Sequence, residues 1–141
     1  MTVPPETALR RVLYVSDSRL TGDVVAVAAA LARILGVARR RNAELGLTGA
    51  LMMGGGRFAQ VLEGPPDSVQ PVFDSILADP RHAGVTVLED GLVPARVFPG
   101  WSMAYVGGEG RPDIPLTLRD AVHEPTPAAE AVLLRLRALT T

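Results

Sequence analysis

The chain has 141 residues, a formal net charge of −1 and no cysteine, which fits one domain with a modest core and a short tail. Hydrophobic residues make up 48% and charged residues 21%, a soluble globular composition without the basic excess of a nucleic-acid-binding module. Missing cysteines exclude disulfides, iron–sulfur clusters, thiol nucleophiles and cysteinyl adducts. All 14 basic residues are arginine, so Schiff-base chemistry and the lysine of a phosphate-binding loop are excluded too. His82 and His123, the two histidines, are too few for a three-histidine metal site.

Met1 to Glu6 carries no basic targeting segment, and Pro4-Pro5 interrupts any apolar one. The longest apolar run, Val24 to Ala32, stops at Arg33, far short of the ~20 residues that a membrane helix needs. The expectation is a cytoplasmic protein.

Arg11 to Ser16 is a short β-rich run and predicts the first strand. Asp17 to Asp23 reads as a loop. From Val24 to Arg41 the pattern is helical, with Leu31, Ile34, Leu35, Ala38 and Asn42 on one stripe. Arg39-Arg40-Arg41 is expected to close that helix, complementing the negative end of its dipole. Leu47 to Met53 predicts a second strand, Gly54-Gly55-Gly56 a turn, and Arg57 to Glu63 a third strand. Because the glycines join strand to strand, a phosphate-cradling loop is a poor reading.

Gly64-Pro65-Pro66 breaks the chain before a second helix bearing Val69, Val72, Phe73, Ile76 and Leu77 on one face. Pro71 falls in its first turn if Asp67 is the cap. Asp79-Pro80-Arg81-His82 is expected to end it. Val85 to Leu88 predicts a fourth strand, and Ala95 to Val106 contains a fifth on which Trp101 and Met103 share a face. A Gly/Pro-rich linker follows. Thr126, Pro127 and the stripe Val132, Leu136, Leu139 then predict a C-terminal amphipathic helix. The fold class expected is α+β, a ferredoxin-like β-α-β-β-α-β(-β) sheet with both crossover helices on one face and C-terminal helices added.

In that topology the first and third strands lie together at the centre. Alternation places Val12, Tyr14 and Ser16 on one face of the first, and Phe58, Gln60 and Leu62 on one face of the third. Tyr14, Asn42 and Gln60 are then expected to converge between helices and sheet. Each also has an ordinary explanation. A strand tyrosine is commonly a core ring with a satisfied hydroxyl, Asn42 suits a left-handed helix C-cap, and Trp101 and Met103 suit a core. Gln60 is harder to dismiss, because an unsatisfied buried amide costs roughly 1–3 kcal/mol. Two amides and a phenol together suit a heteroaromatic ring with N–H and C=O edges.

These residues resemble the BLUF domain, a blue-light sensor that uses a flavin. The resemblance runs from about Arg10 to Val106 and rests on Val12-Leu13-Tyr14-Val15-Ser16, Arg40-Arg41-Asn42-Ala43 with Gly46-Leu47-Thr48-Gly49, Gln60-Val61-Leu62-Glu63-Gly64, Asp79-Pro80-Arg81-His82 and Trp101-Ser102-Met103. Asn42 to Gln60 spans 18 positions and Gln60 to Trp101 spans 41, as in the family pattern. It implies FAD (or FMN) held non-covalently between the crossover helices. Tyr14 takes the electron-donor position, Gln60 that of the switching glutamine, and Asn42 a place on the N3/C4-carbonyl edge. Ile76 would pack on the ring, Arg81 and His82 would lie near its other polar edge, and Trp101 and Met103 would pass the signal into the sheet. Ala38, Ala59 and Ser75 depart from residues common in the family, and the stretch between Tyr14 and Asn42 is about four residues longer than usual.

The resemblance divides the chain into a flavin-binding domain, 1–106, and a linker with a helical tail, 107–141. It implies no enzymatic activity of the chain itself. Expected partners are a downstream protein and further copies of this chain, with neither nucleic acid nor membrane. The tail helix is the surface expected to carry the signal by contact. Two other readings stay open on the residues alone: a small phosphate or acyl-phosphate hydrolase with Arg19 or Arg57 as anion clamp and Asn42 placing water, and a cofactor-free interaction module.

Overall fold

The structure is a computed structural model that describes residues 8–54 and 56–107. The tail helix expected around Thr126 to Leu139, with the rest of the chain after Gly107, lies outside the described residues. The elements run β1 (Leu9–Ser18), α1 (Val24–Leu45), β2 (Thr48–Gly54), β3 (Arg57–Gly64), α2 (Pro66–Leu77), β4 (His82–Val93) and β5 (Ala104–Gly107).

The five strands form one sheet in the order β4-β1-β3-β2-β5. β1 pairs antiparallel with both β3 and β4, β2 pairs antiparallel with β3, and β5 adds parallel to β2. This is the split βαβ arrangement expected from the element order. β1 and β3 occupy the centre because they are apolar on both sides. Val12 to Ser16 and Phe58 to Gly64 are buried without interruption.

The two faces differ in what covers them. Val12, Tyr14, Phe58 and Leu62 point toward the helices and pack with Leu31, Leu35 and Ala38 of α1 and Val69, Val72 and Phe73 of α2. Leu13, Val15, Ala59 and Val61 point the other way, into a second apolar layer joined by Leu88 and Phe98. The alternation read from the sequence holds on both central strands.

α1 begins at Asp23, whose carboxylate accepts the Ala26 N–H at 2.8 Å, and ends at Gly46 with φ +72°. Glycine takes that left-handed turn without the Cβ penalty, so the helix continues past the point expected from Asn42. Asn42 is therefore an internal, fully buried helix residue and not the cap. Arg39, Arg40 and Arg41 likewise sit before the last turn, which contains no basic residue. Their task is not to complement the dipole.

α2 starts at Pro66, preceded by Pro65 rather than by a capping side chain. Asp67 is an acid in the first turn, near the positive end of the helix, and Pro71 lies inside the helix instead of in that turn. Its missing N–H removes a bond to the carbonyl four residues earlier. The helix stops at Leu77, and His82 opens β4, which is three times the expected strand and runs to Val93.

β4 is irregular. Its register with β1 shifts between Leu13 and Tyr14, and again between Val15 and Asp17. In both places β4 contributes the extra residue, the signature of a β-bulge. The fifth strand is shorter than expected, Ala104–Gly107. Trp101 and Met103 thus precede it in an irregular segment, and do not share a strand face.

Candidate functional site

Tyr14 and Gln60 face each other directly in the β1/β3 ladder, and both are buried. The Tyr14 hydroxyl donates a hydrogen bond to Gln60 Oε1. On its other side, Gln60 Nε2 donates to the Met103 sulfur at 3.8 Å. A thioether is a weak acceptor, so one end of the carboxamide is firmly held and the other loosely.

Above this pair lies a cleft between α1 and α2 of about 600 Å³, its open mouth included. Ile34, Val37, Ala38, Leu51, Phe58 and Ile76 provide apolar walls, while Tyr14, Gln60, Arg41, Asp79, Arg81 and His82 provide the polar groups. Burial pushes the Tyr14 phenol well above the ordinary range for tyrosine, with Asp79 adding to the effect and Arg41 opposing it. The hydroxyl is accordingly a donor, and remains one, at any neutral pH.

His82 is fixed at both ring nitrogens. Nδ1 lies 2.8 Å from Ser16 Oγ, and Nε2 lies 2.6 Å from the Ile76 carbonyl. Because a carbonyl only accepts, the hydrogen of the neutral ring resides on Nε2. The ring meets the edge of Tyr14, with centroids 5.8 Å apart. At the mouth, Arg81 folds back on Asp79, its Nη2 2.6 Å from Oδ2. The bond to Arg81 holds the Asp79 carboxyl below its usual value.

Asn42 does not line the cleft. Its Nδ2 donates to the Ser102 carbonyl at 2.7 Å, so it fastens α1 to the segment before β5. Arg39 does the same one turn earlier, with Nε 2.9 Å from the Met103 carbonyl. Six of the eight residues expected at the site are thus joined: Tyr14, Gln60, Ile76, Arg81 and His82 in the cleft, and Met103 through Gln60. Asn42 stands one bond removed. Trp101 is 45% exposed, and among the described residues its hydrogen bonds are made by its backbone, the carbonyl accepting the Gly49 N–H at 3.0 Å.

Four residues escaped the sequence reading. Arg41 follows Ile34 and Ala38 at helical spacing, a signal for the cleft that the dipole argument obscured. Arg39 and Ser16 act through a backbone carbonyl and a histidine distant in sequence. Glu63 is the fourth, an acid with no exposure at all. It sits in an otherwise unbroken buried run.

The slot fits a flat aromatic guest with a polar edge: apolar walls on both sides, and a phenol–amide pair at its floor. Comparison with known proteins agrees. The family described as "BLUF: Sensors of blue-light using FAD" matches residues 9–104. Photoactivated adenylate cyclase subunit beta of Euglena longa is 38% identical over 97 residues, covering 69% of this chain and 11% of that protein. The blue light- and temperature-regulated antirepressor BluF of Escherichia coli (strain K12) is 38% identical over 65 residues, 46% of this chain and 16% of that protein. This chain therefore spans a small part of the length of these relatives. The dark-state structure of BlrB, a BLUF protein, superposes with a TM-score of 0.70 at 32% identity, covering 89% of this chain and 98% of that one. The chain belongs to the BLUF family, the sensors of blue light that use FAD.

Proposed function

We propose that the cleft between α1 and α2 is where this chain holds its flavin, and that Tyr14 and Gln60 form the light-operated switch beneath it. The observation that carries this reading is the Tyr14 hydroxyl bonded to Gln60 Oε1 at the cleft floor. Ile76 is the apolar contact from α2, and Arg81 and His82 supply polar contacts at the side facing β4. Asn42 is the residue for the flavin's N3/C4-carbonyl edge, its Nδ2 held meanwhile by the Ser102 carbonyl. FMN carries the ring system of FAD and suits the same walls.

When bound, the flavin supplies absorption of blue light and a place for an electron. The rest belongs to the chain. Tyr14 is a neutral phenol, and removal of an electron from its ring makes the hydroxyl strongly acidic. Its proton then has one path already built, the hydrogen bond to Gln60 Oε1. An amide both accepts and donates, so Gln60 can take a proton at one end while giving one at the other. Rotation of the carboxamide surrenders the Oε1 bond from Tyr14 and the weak Nε2 contact to the Met103 sulfur. The two amide ends then exchange places, and Met103 senses the exchange.

The chain itself is read as a sensor and not a catalyst, working in the cytoplasm and signalling by contact with a downstream protein or with further copies of itself. The antirepressor description of its relative BluF supports a protein as recipient. Among the described residues no helix is long and apolar enough to cross a membrane. The hydrolase reading lacks its clamp: Arg57 is paired with Asp17 at 3.2 Å, and neither Arg57 nor Arg19 lines the cleft. Purified protein, as isolated or after mixing with FAD, is expected to be yellow and to shift its absorbance slightly to the red under blue light. A protein that takes up no flavin, or a bound flavin whose spectrum ignores light, overturns the reading.

A further inference from the structure

Glu63 is a wholly buried acid that the photochemistry does not touch. It lies three residues beyond Gln60 on β3, so the two side chains leave opposite faces of the sheet. Glu63 Oε1 accepts the Phe98 N–H at 2.7 Å and the Thr48 hydroxyl at 3.0 Å, and Oε2 accepts the Val97 N–H at 2.9 Å. Thr48 Oγ1 also accepts from Arg96 Nη1 at 2.8 Å. The Phe98 side chain is fully buried in the apolar layer on the face away from the helices.

The same backbone segment continues to the cleft. Five residues after Phe98, the Met103 sulfur meets Gln60 Nε2, with Met103 buried among the residues of the helix face. Residues 96–103 thus pass from one face of the sheet to the other and are tied at each end to β3. The two ties are unequal. Bonds from backbone N–H groups to a carboxylate are among the strong ones, whereas an amide on a thioether is weak. Replacing the acid by a neutral apolar residue of similar size would leave two N–H groups, that of Phe98 buried and that of Val97 partly so, without acceptors.

We propose that Glu63 is a positioning residue for the light response. It fixes Val97 and Phe98 in both dark and lit states, so that a turn of the Gln60 amide moves residues 101–103 and β5 and goes no further back along the chain. This rests on the Tyr14–Gln60 switch proposed above. A merely structural Glu63 would lower stability when replaced and leave the light response of the folded protein as it was.

The test is hydrogen exchange on the flavin-loaded full chain, dark and illuminated, together with the rate of dark recovery. In the wild type, the Val97 and Phe98 amides are expected to exchange equally in both states, while those from Trp101 to Ala104 differ. Glu63→Gln keeps one acceptor and loses the other. It is expected to retain the red shift, to extend the light–dark difference to residues 97 and 98, and to speed recovery about tenfold, the effect of one charge-assisted bond. Wild-type amides at 97 and 98 that change as much as those at 102 and 103 overturn the anchor, and need no variant. So does a folded Glu63→Gln with wild-type recovery and an unaltered exchange pattern. A wild type with no red shift overturns the photoswitch itself, and the anchor with it.

Discussion

The hydroxyl of Tyr14 and the carboxamide oxygen of Gln60 are hydrogen-bonded across directly opposed positions of adjacent strands. Side chains so placed are among the closest that a sheet provides. Tyr14→Phe removes the only group on β1 able to give a proton to Gln60, and Gln60→Leu removes the acceptor. Both variants are expected to fold and bind flavin, and to lose the light-induced red shift. Difference spectra before and after illumination decide it; a shift persisting in either variant refutes the switch.

The phenol also has a consequence for stability at high pH. Burial raises its pKa in the folded protein above the unfolded value, which lies near 10. The stabilisation from the neutral buried phenol is complete below pH 10 or so. It declines above that pH, because only the unfolded chain releases the proton, and is exhausted once pH passes the raised folded value. Denaturant titrations from pH 8 to 11 are expected to show wild-type stability falling at the alkaline end, with a smaller fall in Tyr14→Phe. Parallel curves would place the loss elsewhere.

His82 is held by Ser16 and Ile76 in a single orientation. Long-range proton–nitrogen correlation spectra are expected to show the neutral ring with its hydrogen on Nε2. Ser16→Ala leaves Nδ1 without its partner and is expected to cost about 1 kcal/mol. A ring protonated on Nδ1 in the wild type would contradict the assignment.

Asn42 is fully buried and bonded to the Ser102 carbonyl. Asn42→Ala leaves that carbonyl unpaired and is expected to destabilise the fold by roughly 1–3 kcal/mol. Because the bond holds the segment carrying Met103, dark recovery is expected to change with it. Thermal unfolding and recovery kinetics measure the two effects separately.

Gly49 has no room for a side chain, since a Cβ there would stand 2.0 Å from the Val61 carbonyl oxygen. Gly49→Ala must separate β2 from β3 or displace the Gly49 N–H from Trp101. It is expected to destabilise by about 1–3 kcal/mol, the range for overpacked interiors. Denaturant unfolding tests this; an unchanged midpoint would show that the strands yield freely.

Element order, the two helices on one face and the facing of Tyr14 and Gln60 were legible in the sequence, because each follows from a short-range period. Strand alternation put Tyr14 and Gln60 on one side, and the split topology made their strands neighbours. What escaped depended on contacts distant along the chain. Asn42 ends the apolar stripe and so suits a cap as well as the site, yet Gly46 terminates the helix and frees Asn42 for Ser102, 60 residues away. Trp101 and Met103 alternate like a strand, but their carbonyls are taken by Gly49 and Arg39 and not by a ladder. The burial of Glu63 was invisible because its donors are loop amides, which leave no mark in a composition.

The two bulges in β4 bear on the edge of the sheet among the described residues. β4 lies at one edge of the sheet, and a long straight edge strand is an invitation to fibrous stacking through its unpaired amides. Each bulge bends β4 and tightens its twist, which denies an incoming chain a flat template to zip along. Glu89 and Asp90 add charge to the same strand, each balanced by an arginine of β1. An irregularity that looks like a flaw in the ladder is thus one of the devices by which sheets discourage indiscriminate edge-to-edge pairing.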